Sequence, residues 1–173
     1  MERTGTTLST GAAGPTYSQQ DFLNGWNAVT RKTDLVRFWV EEVWSKDNDK
    51  ILDDMFSPDT TATGPVSDVA GKDFRSTDIV SALKALFQCP PELTFTVLEE
   101  LGDWVITCFT VAVKDHPHRP PFDFDGQMVF RITDGKITEV HSNLNYIKMF
   151  EGLGQMPEDT LLVALTGAEL DWK

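Results

Sequence analysis

The chain has 173 residues, 40% hydrophobic and 10% aromatic, which indicates a single globular domain with enough apolar bulk for its own core. Its 15 Lys and Arg against 27 Asp and Glu give a formal net charge of −12, which disfavours nucleic acid and anionic membrane surfaces as partners. No apolar run approaches the roughly 20 residues of a membrane span, and no signal-peptide pattern follows Met1, so we expect a cytoplasmic protein. The two cysteines, Cys89 and Cys108, form no CxxC pair, so we expect neither zinc nor a disulfide.

The two ends of the chain differ in composition from its middle. Residues 1–20 are rich in Thr, Gly and Ser without periodicity, which predicts a disordered leader. Residues 21–32 predict a short helical extension, and the folded body is expected from 33 to 157. The remaining residues, 158–173, are predicted to form a tail that contains a short helix at 159–165.

Helical periodicity dominates the first half of the folded body. The segment 33–46 places its apolar side chains on one broad stripe, which predicts a helix. A second, short helix is predicted to end at 57–59, because Pro58 cannot continue the hydrogen-bond ladder. A short strand over 60–63 follows, and a third helix begins at Ser76 or Thr77 and ends before the prolines at 90–91.

From Leu93 onward the apolar period changes to that of β-strands. Strands are predicted over 93–101, 104–115, 122–133 and 136–147. The first two strands are joined by a turn at Gly102-Asp103, and the last two by a turn at Asp134-Gly135. Three helices followed by an antiparallel meander predict an α+β fold.

Four segments carry a family resemblance: VEEVWSKDNDKILDDMFSPD at 40–59, FTVLEELGDWV at 95–105, MVFRITDGKITEV at 128–140 and NLNYIKMFEGLG at 143–154. Through them the chain resembles the SnoaL-like polyketide cyclase family over residues 33–157. The resemblance implies a cone-shaped α+β barrel, the fold also found in nuclear transport factor 2 and ketosteroid isomerase. It further implies three N-terminal helices packed in a curved, mostly antiparallel sheet, a deep apolar pocket, and a homodimer formed through the outer sheet face.

The resemblance also implies a class of function. We expect a cofactor-free enzyme of the lyase, isomerase or cyclase type that moves protons on a bulky apolar or aromatic metabolite. The alternative is a non-catalytic ligand-binding or protein-docking module of the same fold. Asn145 favours this alternative, because the family commonly has an aspartate there. A ketosteroid isomerase mechanism is disfavoured, since Gly64 and Met128 stand where its base and its acid would fall.

The last predicted strand carries the candidate catalytic residues. Glu139, His141, Asn143 and Asn145 alternate along it and share one face. Taken alone, so polar a row predicts a face in contact with water, whereas the family register turns the position of His141 into the pocket. With the family register, His141 is the candidate general acid or base and Glu139 fixes its tautomer. Asn143 and Asn145 would then orient a substrate oxygen.

Aromatic and long apolar side chains supply the candidate substrate contacts. Residues expected to line the pocket are Tyr146, Trp39, Phe56, Phe109, Met128 and Phe130. His116 and His118 lie in a proline-rich loop that could cover the pocket, but no further ligand accompanies them, so we predict no metal site. Asp123 and Asp125 alternate with Phe122 and Phe124, which predicts that both carboxylates face outward.

Overall fold

The computed structural model describes residues 31–70 and 76–169. The predicted leader at 1–20, nearly all of the predicted extension at 21–32, and the last residues of the predicted tail lie outside the described residues. The domain limits therefore stay predictions.

The first helix of the described chain changes type along its length. Helix α1 spans Lys32–Trp39, and a π-helix continues it over Val40–Ser45. At its end the Lys46 amide donates to the carbonyl of Glu41, five residues earlier, at 3.1 Å. Hydrogen bonds of this spacing set residues five apart on one side of the helix. Trp39 and Trp44 accordingly meet edge to face, with ring centroids 5.9 Å apart. The sequence predicted an uninterrupted α-helix, which is wrong for this second half.

A short helical segment and an edge strand follow. A 3₁₀ turn over Asp49–Ile51 leads into helix α2, Leu52–Met55, and strand β1 spans Phe56–Thr63. Strand β1 begins before Pro58, so the prediction that residues 57–59 separate helix from strand is wrong. The strand tolerates proline because it lies at the sheet edge, where its register with the neighbouring strand is interrupted between Phe56 and Thr61.

Two helices follow β1 along the chain, before the other four strands. Helix α3, Pro65–Ala70, was not predicted. Helix α4, Ser76–Phe87, agrees with the helix predicted to start at Ser76 or Thr77 and to end before the prolines. Gln88, directly after α4, has a left-handed backbone with φ 55°. The chain therefore leaves the helix just before the two prolines.

The sheet has five strands. Strands β2, β3, β4 and β5 span Glu92–Leu101, Trp104–Val113, Phe122–Thr133 and Lys136–Leu144. The order is β1-β5-β4-β3-β2, parallel between β1 and β5 and antiparallel elsewhere. The sheet is curved and does not close, which gives the α+β cone predicted from the resemblance. Both predicted turns are present, with positive φ at Gly102, Asp134 and Gly135.

Two helices complete the described chain. Helix α5 spans Tyr146–Gly152 and helix α6 spans Thr160–Leu165, as expected of the tail. The sequence extended the last strand to residue 147, but the strand ends at Leu144 because Asn145 caps α5. The Asn145 Oδ1 atom accepts a hydrogen bond from the Lys148 amide at 3.2 Å.

The core lies on one side of the sheet, which we call the inner face. Its buried side chains come from every strand except β2 and from most of the helices. Helix α1 is held there by Trp39, whose ring lies 5.5 Å from that of Phe130. None of the described helices has the length and apolarity needed to cross a membrane.

Candidate functional site

Cross-strand pairing assigns each β5 side chain to a face of the sheet. Val140 pairs with Phe130, which pairs with Val105, and the three are 8%, 1% and 0% exposed. These residues therefore define the inner face. His141 and Glu139, on either side of Val140, lie on the opposite, outer face.

The prediction that the polar row of β5 points into an interior pocket is therefore wrong. The side chains of His141 and Glu139 are 43% and 28% exposed, and Asn143 is exposed as well. The polar and apolar alternation of the strand itself predicts this orientation, because carboxylate, imidazole and amide groups are costly to bury. Asn145 does not continue the row, since it caps α5. A catalytic role for these residues now requires a substrate on the outer face, and it stays a prediction.

A chain of polar contacts fixes His141 on the outer face. Its Nδ1 atom lies 2.6 Å from Thr63 Oγ1, and its Nε2 atom lies 2.8 Å from Glu139 Oε1. Arg131 Nη1 lies 3.9 Å from Glu139 Oε2 and stacks its guanidinium over Trp104 at 5.7 Å. Both ring nitrogens of His141 are thus engaged with protein groups.

The two amides of the predicted site border an open cleft on the sheet. Asn143 and Asn145 line it together with Asp125, Gln127 and Cys108, and its volume is about 440 Å³. The structure thus brings the two amides together, while His141 does not line this cleft. Asp125 faces outward as predicted and accepts a hydrogen bond from Thr110 at 2.9 Å.

The side chains predicted to line a pocket do turn toward the core. Four of them are buried, and Met128 and Tyr146 are partly buried against the core; the buried four are Trp39, Phe56, Phe109 and Phe130. Their inward orientation is confirmed, and contact with a substrate stays a prediction.

Two hydroxyl groups, those of Tyr146 and Ser142, lie on the inner side of the sheet. Tyr146 was predicted as a site residue from the sequence, whereas Ser142 was not. Ser142 pairs with Met128 and shares the face of Val140. The Ser142 side chain lies near enough to the Tyr146 hydroxyl to affect the pKa of Tyr146. Burial raises the pKa of Tyr146 more than the Ser142 side chain lowers it, so the phenol is protonated at neutral pH. The strand alternation contains the signal for Ser142, since it places Ser142 on the face opposite to His141.

The backbone of Gly64 closes over Ser142. Gly64 has φ 131°, and a Cβ atom there would overlap the Ser142 carbonyl oxygen. Only glycine suits this position, both for its backbone angle and for its contact. The junction between β1 and α3 therefore lies directly against the backbone of Ser142.

Two indole groups in the core lack hydrogen-bond partners. In the part of the chain that the structure describes, the Nε1 atoms of Trp39 and Trp44 are buried and unpaired. An unsatisfied buried donor costs about 1–3 kcal/mol, so these two groups lower the stability of the core.

The described inner face offers neutral groups. On β3, β4 and β5 its inward positions carry no carboxylate and no imidazole. Within residues 31–70 and 76–169, no three His, Cys, Asp or Glu side chains cluster closely enough to hold a metal ion. His116 and His118 lie side by side, with ring centroids 6.3 Å apart. The hydroxyl groups of Tyr146 and Ser142 on the inner face can donate hydrogen bonds to a ligand oxygen inside an apolar environment.

Comparison with known proteins agrees with this architecture. The family model of the SnoaL-like domain matches residues 36–140. No curated protein matches the sequence at a significant level. Among solved structures, a candidate polyketide cyclase from Acidithiobacillus ferrooxidans is 20% identical with TM-score 0.58, over 74% of this chain and 98% of that chain.

Two further structures share the fold. IdmH, a candidate polyketide cyclase from Streptomyces antibioticus, is 20% identical with TM-score 0.56, over 72% of this chain and 99% of its own. An LEH-like epoxide hydrolase from M. tuberculosis is 19% identical with TM-score 0.52, over 79% of this chain and 96% of its own. At these identities the likeness shows the fold.

Proposed function

Because the chain belongs to the SnoaL-like domain family, we propose that it is a cofactor-free enzyme of the lyase, isomerase or cyclase type. Its substrate would be a bulky apolar or aromatic metabolite held against the inner face, in a cytoplasmic setting. The observation that carries the proposal is the phenol of Tyr146, which packs against the buried aromatic core near Ser142 and whose pKa is raised by burial.

Tyr146 would act on a substrate oxygen. A neutral phenol can donate a hydrogen bond to a carbonyl or enol oxygen, and this bond strengthens as negative charge develops there. Ser142 would position the phenol. Phe109, Met128 and Phe130 would pack the apolar body of the substrate. No side chain is assigned as general base, so the proton leaving the substrate carbon would pass to a water molecule while Tyr146 donates its hydrogen bond to the oxygen.

The test uses enolisation of a bulky apolar ketone. In D₂O, the full chain is expected to accelerate exchange of the α-protons of 2-tetralone, followed by proton NMR. Tyr146→Phe removes only the hydroxyl and is expected to slow exchange about 100-fold. Thr110→Val, which removes a hydroxyl from the outer face, is the matched control and should exchange at the wild-type rate. Equal exchange by wild type and Tyr146→Phe contradicts the proposal.

The outer face supports a second candidate function, a ligand-binding or protein-docking module. Val97, Leu101 and Ile106 are 39%, 67% and 38% exposed and lie on this face around the partly exposed Trp104. A homodimer formed through this face would cover them and would bury the network around His141. The oligomeric state therefore tests whether this face has a docking role.

A further inference from the structure

The outer face has an apolar margin at the edge of the sheet. Strand β2 is an edge strand, and on the outer face it carries Leu101 and Val97, which are 67% and 39% exposed. Leu101 pairs with the partly exposed Trp104 of β3. We call these three residues the β2 margin. An edge strand with exposed apolar side chains attracts other chains, and proteins commonly cover such an edge with a helix or a loop.

The chain enters the described structure beside this margin. Lys32, at the start of α1, binds the turn that joins β2 to β3. Its amide donates to Glu100 Oε2 at 2.8 Å, and its Nζ atom donates to the Gly102 carbonyl at 2.6 Å and to Asp103 Oδ1 at 3.1 Å. Leu101 lies between Glu100 and Gly102 in the sequence. The residues that precede Lys32 therefore begin next to the most exposed residue of the margin.

The segment before Lys32 carries apolar side chains in a pattern that suits this surface. Three apolar residues within 22–29 recur at helical spacing, namely Phe22, Trp26 and Val29. A helix over this segment would rise about 11 Å, close to the ~13 Å that the margin spans along β2. So short a helix is not stable alone in water, so it needs an apolar surface to pack against.

From the position of Lys32 and the apolar pattern before it, we propose that residues 22–29 cover the β2 margin of their own chain. Val29 is three residues from Lys32, which limits their separation to about 10 Å. This short link favours the margin of the same chain over that of a second copy. Ile106 lies on β3, one strand farther from the edge, and stays available to a second copy. The cover would block association of other chains at the edge of β2.

Chemical access to position 101 tests the cover. In the full chain, with serine in place of both native cysteines, Leu101→Cys introduces a single thiol whose alkylation by iodoacetamide is followed by mass spectrometry. Serine at all three apolar positions of the segment is expected to speed this alkylation about 10-fold, because the thiol loses its apolar cover. Leu165→Cys, at an α6 leucine that is 76% exposed, is the matched control and should react at the same rate with either N-terminal sequence.

A second measurement identifies the chain that supplies the cover. Trp26→Cys combined with Leu101→Cys is expected to form a disulfide under mild oxidation, and electrophoresis without reductant should show the mass of one chain. Trp26→Cys combined with Leu165→Cys should stay reduced. Equal alkylation with either N-terminal sequence overturns the proposal, and a rate that changes only on dilution would assign the cover to a second copy. The absence of a disulfide, or a disulfide that joins two chains, likewise overturns it.

Discussion

His141 and Glu139 form a hydrogen bond of 2.8 Å on the outer face of the sheet, between Nε2 and Oε1. Ser142, the next residue along β5, faces the opposite side and lies near the Tyr146 hydroxyl. Successive strand residues alternate between faces. His141, which the sequence favoured as the catalytic group, is therefore directly followed by Ser142, which faces the interior.

His141→Ala is expected to leave α-proton exchange of 2-tetralone unchanged. The imidazole lies on the outer face and is 43% exposed, so its loss should also change the free energy of unfolding by less than about 1 kcal/mol. Exchange by NMR and urea unfolding measure the two effects, with Glu139→Gln as a companion variant. Abolished exchange in folded His141→Ala would return the acid–base role to the outer face.

Glu42→Gln is expected to destabilise the chain by about 1 kcal/mol at pH 7. Burial alone would raise the pKa of Glu42, but hydrogen bonds from Lys46 and Asn48 lower it below its ordinary value of 4.5. The stabilisation is therefore complete above pH 4.5 and is lost as pH falls through the lowered pKa. Urea unfolding of both chains between pH 3 and pH 7 should show their difference shrinking in acid.

Glu41→Gln is the matched control for this effect. Glu41 also contacts Lys46, at 2.8 Å, but its side chain is 55% exposed. A surface ion pair of this kind contributes little, so the variant should lose less than about 0.5 kcal/mol. Equal losses in the two variants, or a Glu42→Gln difference that persists unchanged in acid, would contradict the assignment.

Gly126→Ala is expected to lower stability by about 1–3 kcal/mol through overpacking. A Cβ atom there would lie 2.6 Å from Leu144 Cδ2 and 2.7 Å from the Phe109 ring. Phe109→Leu in the same chain should recover part of the loss, because the rigid ring is the obstacle. Thermal unfolding of the single and double variants measures the coupling, and purely additive losses would contradict the contact.

Ile106→Glu is expected to convert a dimer to a monomer. The protein has a mass of 19.4 kDa, so sedimentation distinguishes the two states directly. Leu165→Glu places the same charge on α6, at a leucine that is 76% exposed and away from the sheet, and should leave the dimer intact. A wild-type monomer at tens of micromolar would contradict docking through the outer face.

Strand alternation and turn chemistry predicted the meander well. The turn at Asp134-Gly135 and the inward Phe124 both follow from local patterns that tertiary packing did not override. The same alternation places Glu139 and His141 toward water. The inward orientation predicted for these two residues was wrong because it followed the family register and not the alternation of the strand.

The remaining differences depend on contacts between distant residues. Pro58 reads as a helix stop, yet it lies in a strand because β1 occupies a sheet edge beside β5. Asn145 reads as a strand residue, yet its side chain satisfies the first turn of α5. The switch to a π-helix at Val40 has no equivalent in the apolar pattern, because the stripe is broad enough to suit either helix type.

The π-helix over Val40–Ser45 contains one residue more than an α-helix would need to cover the same length. A relative that lacked this residue would rotate every later position of the helix by about 100° about its axis. Its counterpart of Trp44 would then leave the side of Trp39, and the edge-to-face contact between the two rings would be lost. Chains of this family aligned without a gap at this point would thus equate side chains that occupy different places.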